Sequence, residues 1–236
     1  MAGTSCRADV GGDFCERHCA LRRVSNRFAQ SRAVPVSDFP IALHGERITA
    51  VVVGGGSVGT RKARALAEAG VRVLVVAPVA SPELEEGDRQ RQITLVREAY
   101  RRDHLDRATL VIAATDSREI NAQIAIDANA RGMLVNISDY PDEGNFHTMA
   151  LHRSGDVTIA VSSGGVPGAA ARIRDAIAER FDARYERAVS ALRGLRSKLI
   201  AGGEDRWRAA APRLVGDDFC SSVEDGSFAE KLDSWR

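Results

Sequence analysis

The sequence predicts an α/β fold built on a doubly wound parallel sheet. Three observations carry that expectation. Residues 48–59, ITAVVVGGGSVG, run from an apolar, β-branched stretch straight into a glycine cluster. Further apolar runs of strand length recur at 71–77, 93–96, 110–114 and 133–137. Helix-like stretches lie between them, and strands alternating with helices imply parallel strands joined by crossovers.

Each element follows in order. The first strand is expected at 48–53 and its helix at 58–69, closed by Gly70. The second strand, VRVLVVA at 71–77, is nearly continuous in apolar residues, as a strand covered on both faces must be. Pro78 stops it, and Ser81-Pro82-Glu83 opens a short helix. A third, shorter strand lies at 93–96 and a fourth, LVIAA, at 110–114. Asp116 and Ser117 are both candidates to cap the helix expected over 118–130, which Gly132 ends. MLVNI at 133–137 is the fifth strand. The pattern then changes. DVTIAV at 156–161 alternates polar and apolar residues, so it is expected to be half-buried. After Ser162-Ser163-Gly164-Gly165 a helix is expected over 168–180, and from Asp182 the chain reads as amphipathic helix with breaks at Gly202-Gly203 and Gly216.

Composition narrows the partners. The 236 residues are 44% hydrophobic with a formal net charge of +1, which gives no reason to expect nucleic acid or an anionic membrane. No apolar run approaches the length of a membrane span. The first residues lack an apolar signal region and carry Asp9, Asp13 and Glu16, so a cytoplasmic location is expected. Residues 1–37 have no sustained period and are expected to be a disordered extension. No Met falls between Met1 and Met133, which leaves open a start at a non-Met codon near Val34 or Val36. Cys6, Cys15, Cys19 and Cys220 do not form a disulfide framework. Cys15, His18 and Cys19 lack a second ligand pair, so no metal site is assigned.

The glycine cluster points to chemistry. Gly54, Gly56 and Gly59 give the spacing G-x-G-x-x-G after a strand and before a helix, the arrangement that binds a dinucleotide pyrophosphate. Gly54 would allow the tight turn, Gly56 would let phosphate approach, and Gly59 would let helix and strand pack closely. The Asp or Glu that usually holds a ribose at the end of the second strand is missing; Ala77-Pro78 stands there, and no Arg is placed to hold a 2′-phosphate. Backbone around Pro78 and Val79 is the remaining candidate, and NAD is slightly favoured over NADP. Thr115, after the fourth strand, is a candidate cofactor contact, while Asp116 serves equally well as a helix cap. Asp139 ends the fifth strand on the ligand side of the sheet. It is either a proton acceptor or a turn-stabilising residue. His147 is either functional or structural. Ser162-Ser163 lacks a His/Asp partner pattern in the sequence, which favours a small-residue turn. Arg172 and Arg174 could meet substrate carboxylates or simply face solvent.

The segments GGGSVGTRKARALAEAGVRVLVVAP, VIAATDSREIN, LVNISD and IAVSSGG, in this order and spacing, resemble the precorrin-2 dehydrogenase / sirohydrochlorin ferrochelatase family, the N-terminal half of siroheme synthase and its stand-alone form. The resemblance covers about 38–182 well and the tail weakly. The phrase from Gly54 to Ala63 and the A-A-T-D run followed by Asn121 are characteristic. The resemblance implies a Rossmann-like domain at 38–148, a small α/β dimerisation domain at 149–182 and a C-terminal helical domain at 183–236, assembled as a homodimer. It implies NAD-dependent oxidation of precorrin-2 to sirohydrochlorin, with ferrous iron as a further substrate in many members. It puts the catalytic aspartate on Asp139, cofactor contacts on Ser57, Val58, Pro78 and Val79, and the second serine of its Ser-Ser-Gly-Gly turn on Ser163. His147, Ser163 and Arg172 are the substrate-binding candidates. Two departures stand out. Phe146 is followed by His147-Thr148-Met149-Ala150 where the family reads F-x-x-P-A, and the proline after Gly164-Gly165 comes one residue early, at Pro167. The chain has no room for the methyltransferase half, so it is not expected to make precorrin-2 itself. A non-catalytic NAD- or tetrapyrrole-binding module, for instance a redox sensor, is the alternative.

Overall fold

The computed structural model describes residues 38–235. The expectations for residues 1–37, including Cys6, Cys15, His18 and Cys19, lie outside the described residues. The core is a five-stranded, fully parallel sheet of β1 (Thr49–Val53), β2 (Arg72–Val76), β3 (Thr94–Val96), β4 (Leu110–Ala113) and β5 (Leu134–Ile137), in the order β3-β2-β1-β4-β5. Helices α1 (Ser57–Glu68), α2 (Pro82–Arg89) and α3 (Arg118–Asn129) join β1 to β2, β2 to β3 and β4 to β5, and a 3-10 turn at Arg102–Leu105 lies in the β3 to β4 crossover.

The pleat of β1 sorts its side chains between two layers. Ala50 and Val52 pack with Ala63 of α1, Leu84 of α2 and Ile112. Val51 and Val53 pack with Ile124, Ala125 and Ala128 of α3. Helices therefore cover both faces, as the continuous apolar strands require. All four of these β1 residues are buried, and each fully buried valine side chain contributes roughly 1.5–3 kcal/mol of transfer free energy. Order at the strand ends follows from this burial, and the sheet holds the loops at its carboxyl edge in fixed relation.

The helix starts show which cap won. The hydroxyl oxygen of Ser81 accepts from the Leu84 N–H at 3.3 Å, with Pro82 in the first helical position. At α3 the cap is Ser117, whose oxygen accepts from the Ile120 N–H at 3.3 Å. The alternative candidate, Asp116, does not cap.

Beyond β5 the chain forms an antiparallel hairpin, β6 (Ala150–Ser154) and β7 (Val157–Val161), followed by α4 (Pro167–Arg180). Only β7 was expected. The missed partner, ALHRS, carries a histidine and a serine on its inward face, so its pattern does not read as a strand. Its turn does carry a signal: Gly155 adopts φ +55 at the first position of a two-residue connection. Then come α5 (Ala183–Ala201), α6 (Glu204–Leu214), α7 (Phe219–Asp225) and α8 (Phe228–Asp233), with the expected breaks at Gly202-Gly203 and Gly216. Tyr185, Leu195, Leu199, Leu214, Phe228 and Leu232 form their core. No helix among the described residues is long and apolar enough to cross a membrane.

Candidate active site

The carboxyl edge of the sheet is one continuous chain of close contacts. At Gly54 the backbone adopts φ +121, and a Cβ there would lie 2.2 Å from the Ala114 carbonyl oxygen. A Cβ on Gly55 would lie 2.0 Å from the Val79 carbonyl oxygen, and one on Gly59 would lie 2.1 Å from the Gly54 carbonyl oxygen. These three glycines are demanded by neighbouring backbone. The turn after β1 is thus wedged between the loops after β2 and β4, and the Ser81 N–H donates to the Gly55 carbonyl at 3.0 Å to hold one side.

Gly56 is different. Its φ of −79 is open to any residue, and no atom lies within 4 Å of where its Cβ would be. It is the N-cap of α1, no side chain caps that helix, and its first turn holds no acidic residue. Free N–H groups and the positive end of the helix dipole therefore face the open space beside Gly56, Ser57 and Val58. Beyond the turn stand Pro78 and Val79; the Val79 side chain is 82% exposed, an apolar surface with nothing packed on it. No carboxylate lies in this loop.

At the other end of the edge, Asp139 follows β5 and is exposed. Its Oδ1 accepts from the Asn121 side-chain amide at 3.0 Å. The same amide joins Thr115: its oxygen accepts from the Thr115 hydroxyl at 2.7 Å. Thr115 thus sits at the expected edge, with its hydroxyl proton directed into the loop. Behind Asp139, the Arg118 guanidinium lies 4.2 Å from the centre of the Tyr140 ring and pairs with Glu143, whose hydrogen bond holds the guanidinium's proton more tightly than usual.

A second group forms where the sheet meets the hairpin. His147 Nε2 is 3.3 Å from the Ser162 hydroxyl and 3.6 Å from an Asp38 carboxylate oxygen. Both partners approach one nitrogen, so the trio cannot act as a Ser-His-Asp relay, which needs the acid on the opposite ring nitrogen. Ser163 instead turns its hydroxyl to the Val166 carbonyl, and Arg172 is exposed on α4. Lys62 of α1 reaches across to donate to the Thr148 hydroxyl, and burial followed by the charge of Arg61 lowers its pKa. Among the described residues no three His, Cys, Asp or Glu side chains gather as a metal centre.

The NAD(P)-binding family model matches residues 41–150, the span from just before β1 to the start of β6. Siroheme synthase from Chromobacterium violaceum is 38% identical over 150 residues, 63% of this chain and 32% of that protein. Siroheme synthase from Photobacterium profundum is 34% identical over 196 residues, 81% of this chain and 39% of that protein. The chain belongs to the precorrin-2 dehydrogenase / sirohydrochlorin ferrochelatase family. It spans between about a third and two-fifths of the length of these curated relatives. The solved structure of SirC, precorrin-2 dehydrogenase, superposes with a TM-score of 0.68 at 23% identity, covering 84% of this chain and all of that one, a likeness of fold.

For two residues of the family phrases the structure supplies the physical reason that the sequence does not. Gly55 occupies a variable position of G-x-G-x-x-G, and only the approach of the β2 loop shows why it is glycine. Asn121 belongs to a family phrase, but its bond to Asp139 spans 18 positions. The displaced Pro167 serves as the first residue of α4.

Proposed function

We propose that this chain oxidises precorrin-2 to sirohydrochlorin with NAD as the hydride acceptor. The observation that carries the cofactor assignment is Gly56. The fold would accept a side chain there, yet the position is glycine, uncapped, and beside free helix N–H groups. A pyrophosphate is the group that requires all three. Gly54, Gly56 and Gly59 shape the turn, Ser57 and Val58 present N–H groups, and Pro78 with Val79 offers an apolar wall for a base. The lack of an acidic or basic side chain in the β2 loop leaves the choice of NAD over NADP to the backbone.

A bound nicotinamide supplies the hydride acceptor. Asp139 receives the proton that leaves the macrocycle in the same net two-electron oxidation, and passes it to solvent from its exposed position. His147, Ser163 and Arg172, at the hairpin side, would contact the substrate's carboxylates. The units 38–148, 149–182 and 183–236 are the cofactor, dimerisation and helical domains in this reading. A homodimer is supported by Leu151, Val166 and Ile173, all exposed apolar residues of one small unit. Light scattering of Leu151→Asp against the native protein tests this; an unchanged dimer mass removes the hairpin from the interface.

The deciding assay mixes purified protein, precorrin-2 and NAD, follows absorbance, and then adds ferrous iron. NADH and sirohydrochlorin should form together. Binding of NAD without turnover would instead establish the non-catalytic module. A further spectral change on adding iron, faster than without protein, would identify a bifunctional enzyme.

A further inference from the structure

The geometry points to Asn121 as the residue that positions Asp139 for proton transfer. This rests on Asp139 being the proton acceptor. Asn121 lies in the first turn and a half of α3 and is 1% exposed. Its oxygen accepts from the Thr115 N–H at 3.2 Å and the Thr115 hydroxyl at 2.7 Å. Its nitrogen donates to the Thr115 carbonyl at 3.1 Å and to Asp139 Oδ1 at 3.0 Å. A side-chain amide has two protons and two lone pairs, so every bond it can make is used.

Three of those bonds close the loop after β4, and they would suffice for a purely structural asparagine. The fourth leaves the loop and grips a carboxylate on the neighbouring strand end. Asp139 is exposed, and the bond from Asn121 is the one hydrogen bond to its carboxylate among the described residues. A buried donor with no freedom of its own can hold that carboxylate in one rotamer, because its partners on Thr115 fix the amide plane. The bond is also charge-assisted by the carboxylate, which strengthens it. Oδ1 is thereby held, and Oδ2, which makes no hydrogen bond among the described residues, is the oxygen left to take the proton.

A positioning residue is read by its coupling to the group it positions. Asn121→Asp keeps the shape and the acceptor for Thr115 but loses the N–H aimed at Asp139; Asn121→Ala removes both. In the native background each should lower kcat by roughly 10–100-fold, the scale of a misplaced reacting group, with the KM for NAD unchanged. In an Asp139→Asn background the same substitutions should change kcat less than about twofold. Equal losses in both backgrounds would overturn the proposal, since a structural defect does not depend on Asp139. A second readout needs no activity. NMR side-chain couplings of Asp139 in the free protein should show one χ1 rotamer in the native chain and averaging in Asn121→Asp. Averaging already present in the native chain, or none in the variant, would also overturn it. A single native rotamer, lost in the variant, together with full activity of Asp139→Asn would keep the positioning contact and refute the proton-acceptor reading instead.

Discussion

The two sheets of this molecule bury their residues in opposite ways. In β1 the four residues from Ala50 to Val53 are closed to solvent, with α1 on one side and α3 on the other. In the hairpin no residue of β6 or β7 is fully buried, and α4 buries only Ala170. A strand that loses water on both faces fixes its ends, so the loops that follow it can hold a ligand to within fractions of an ångström. A two-stranded hairpin is marginal alone and gains its order from what covers it. The contrast separates a sheet whose ends are fixed by its own covering helices from a hairpin whose order depends on what packs against it.

The largest effect should separate ligand from fold within the first sheet. Gly56→Asp places a carboxylate where the pyrophosphate would lie, so NAD affinity should vanish in calorimetry. Its melting temperature should hold, since the space is open and Asp is a favoured N-cap. Unchanged affinity would detach the glycine turn from cofactor binding. Asp139→Asn comes next, with an expected loss of roughly 10²–10⁴-fold in the rate of precorrin-2 oxidation and little change in NAD affinity. A normal rate would reduce Asp139 to a turn residue and move attention to His147.

Stability tests address the contrast directly. Ile112→Ala, at the centre of the parallel sheet, should cost about 2–5 kcal/mol in chemical denaturation. Ile159→Ala, half-buried in β7, should cost about 1 kcal/mol, because less apolar area returns to water. Similar costs would mean that the hairpin is as well covered as the sheet. The smallest effect lies at the seam. The folded state holds the Lys62 proton less tightly than an unfolded chain, whose lysine value is 10.5. The unfolded chain then binds more protons as pH approaches 10.5 from below, so stability from this group rises with pH in that window. In Lys62→Met that rise should be absent when the two melting curves are compared across alkaline pH.

The glycine turn was legible because its spacing is local and the strands beside it are apolar after their first residues, Thr49 and Arg72. Asp139 was legible as a position, at the end of an apolar run on the ligand side. Its partner was not, since the bond from Asn121 joins the start of α3 to the end of β5, 18 positions away. Asp116 and Ser117 are neighbours with similar capping chemistry, and only the structure shows that α3 starts after Ser117. Strand β6 was hidden because His152 faces inward and is satisfied by the Phe181 carbonyl at 2.6 Å, a contact 29 positions away.

The glycines of the turn also divide by what enforces them. Gly54, Gly55 and Gly59 answer to adjacent backbone, whereas nothing inside the fold enforces Gly56, and the proposed pyrophosphate would be what does. A lineage descended from this chain that abandoned its cofactor would be free to drift at Gly56 while the other three stayed invariant. Such a pattern would mark the descendants that kept the architecture and lost the chemistry.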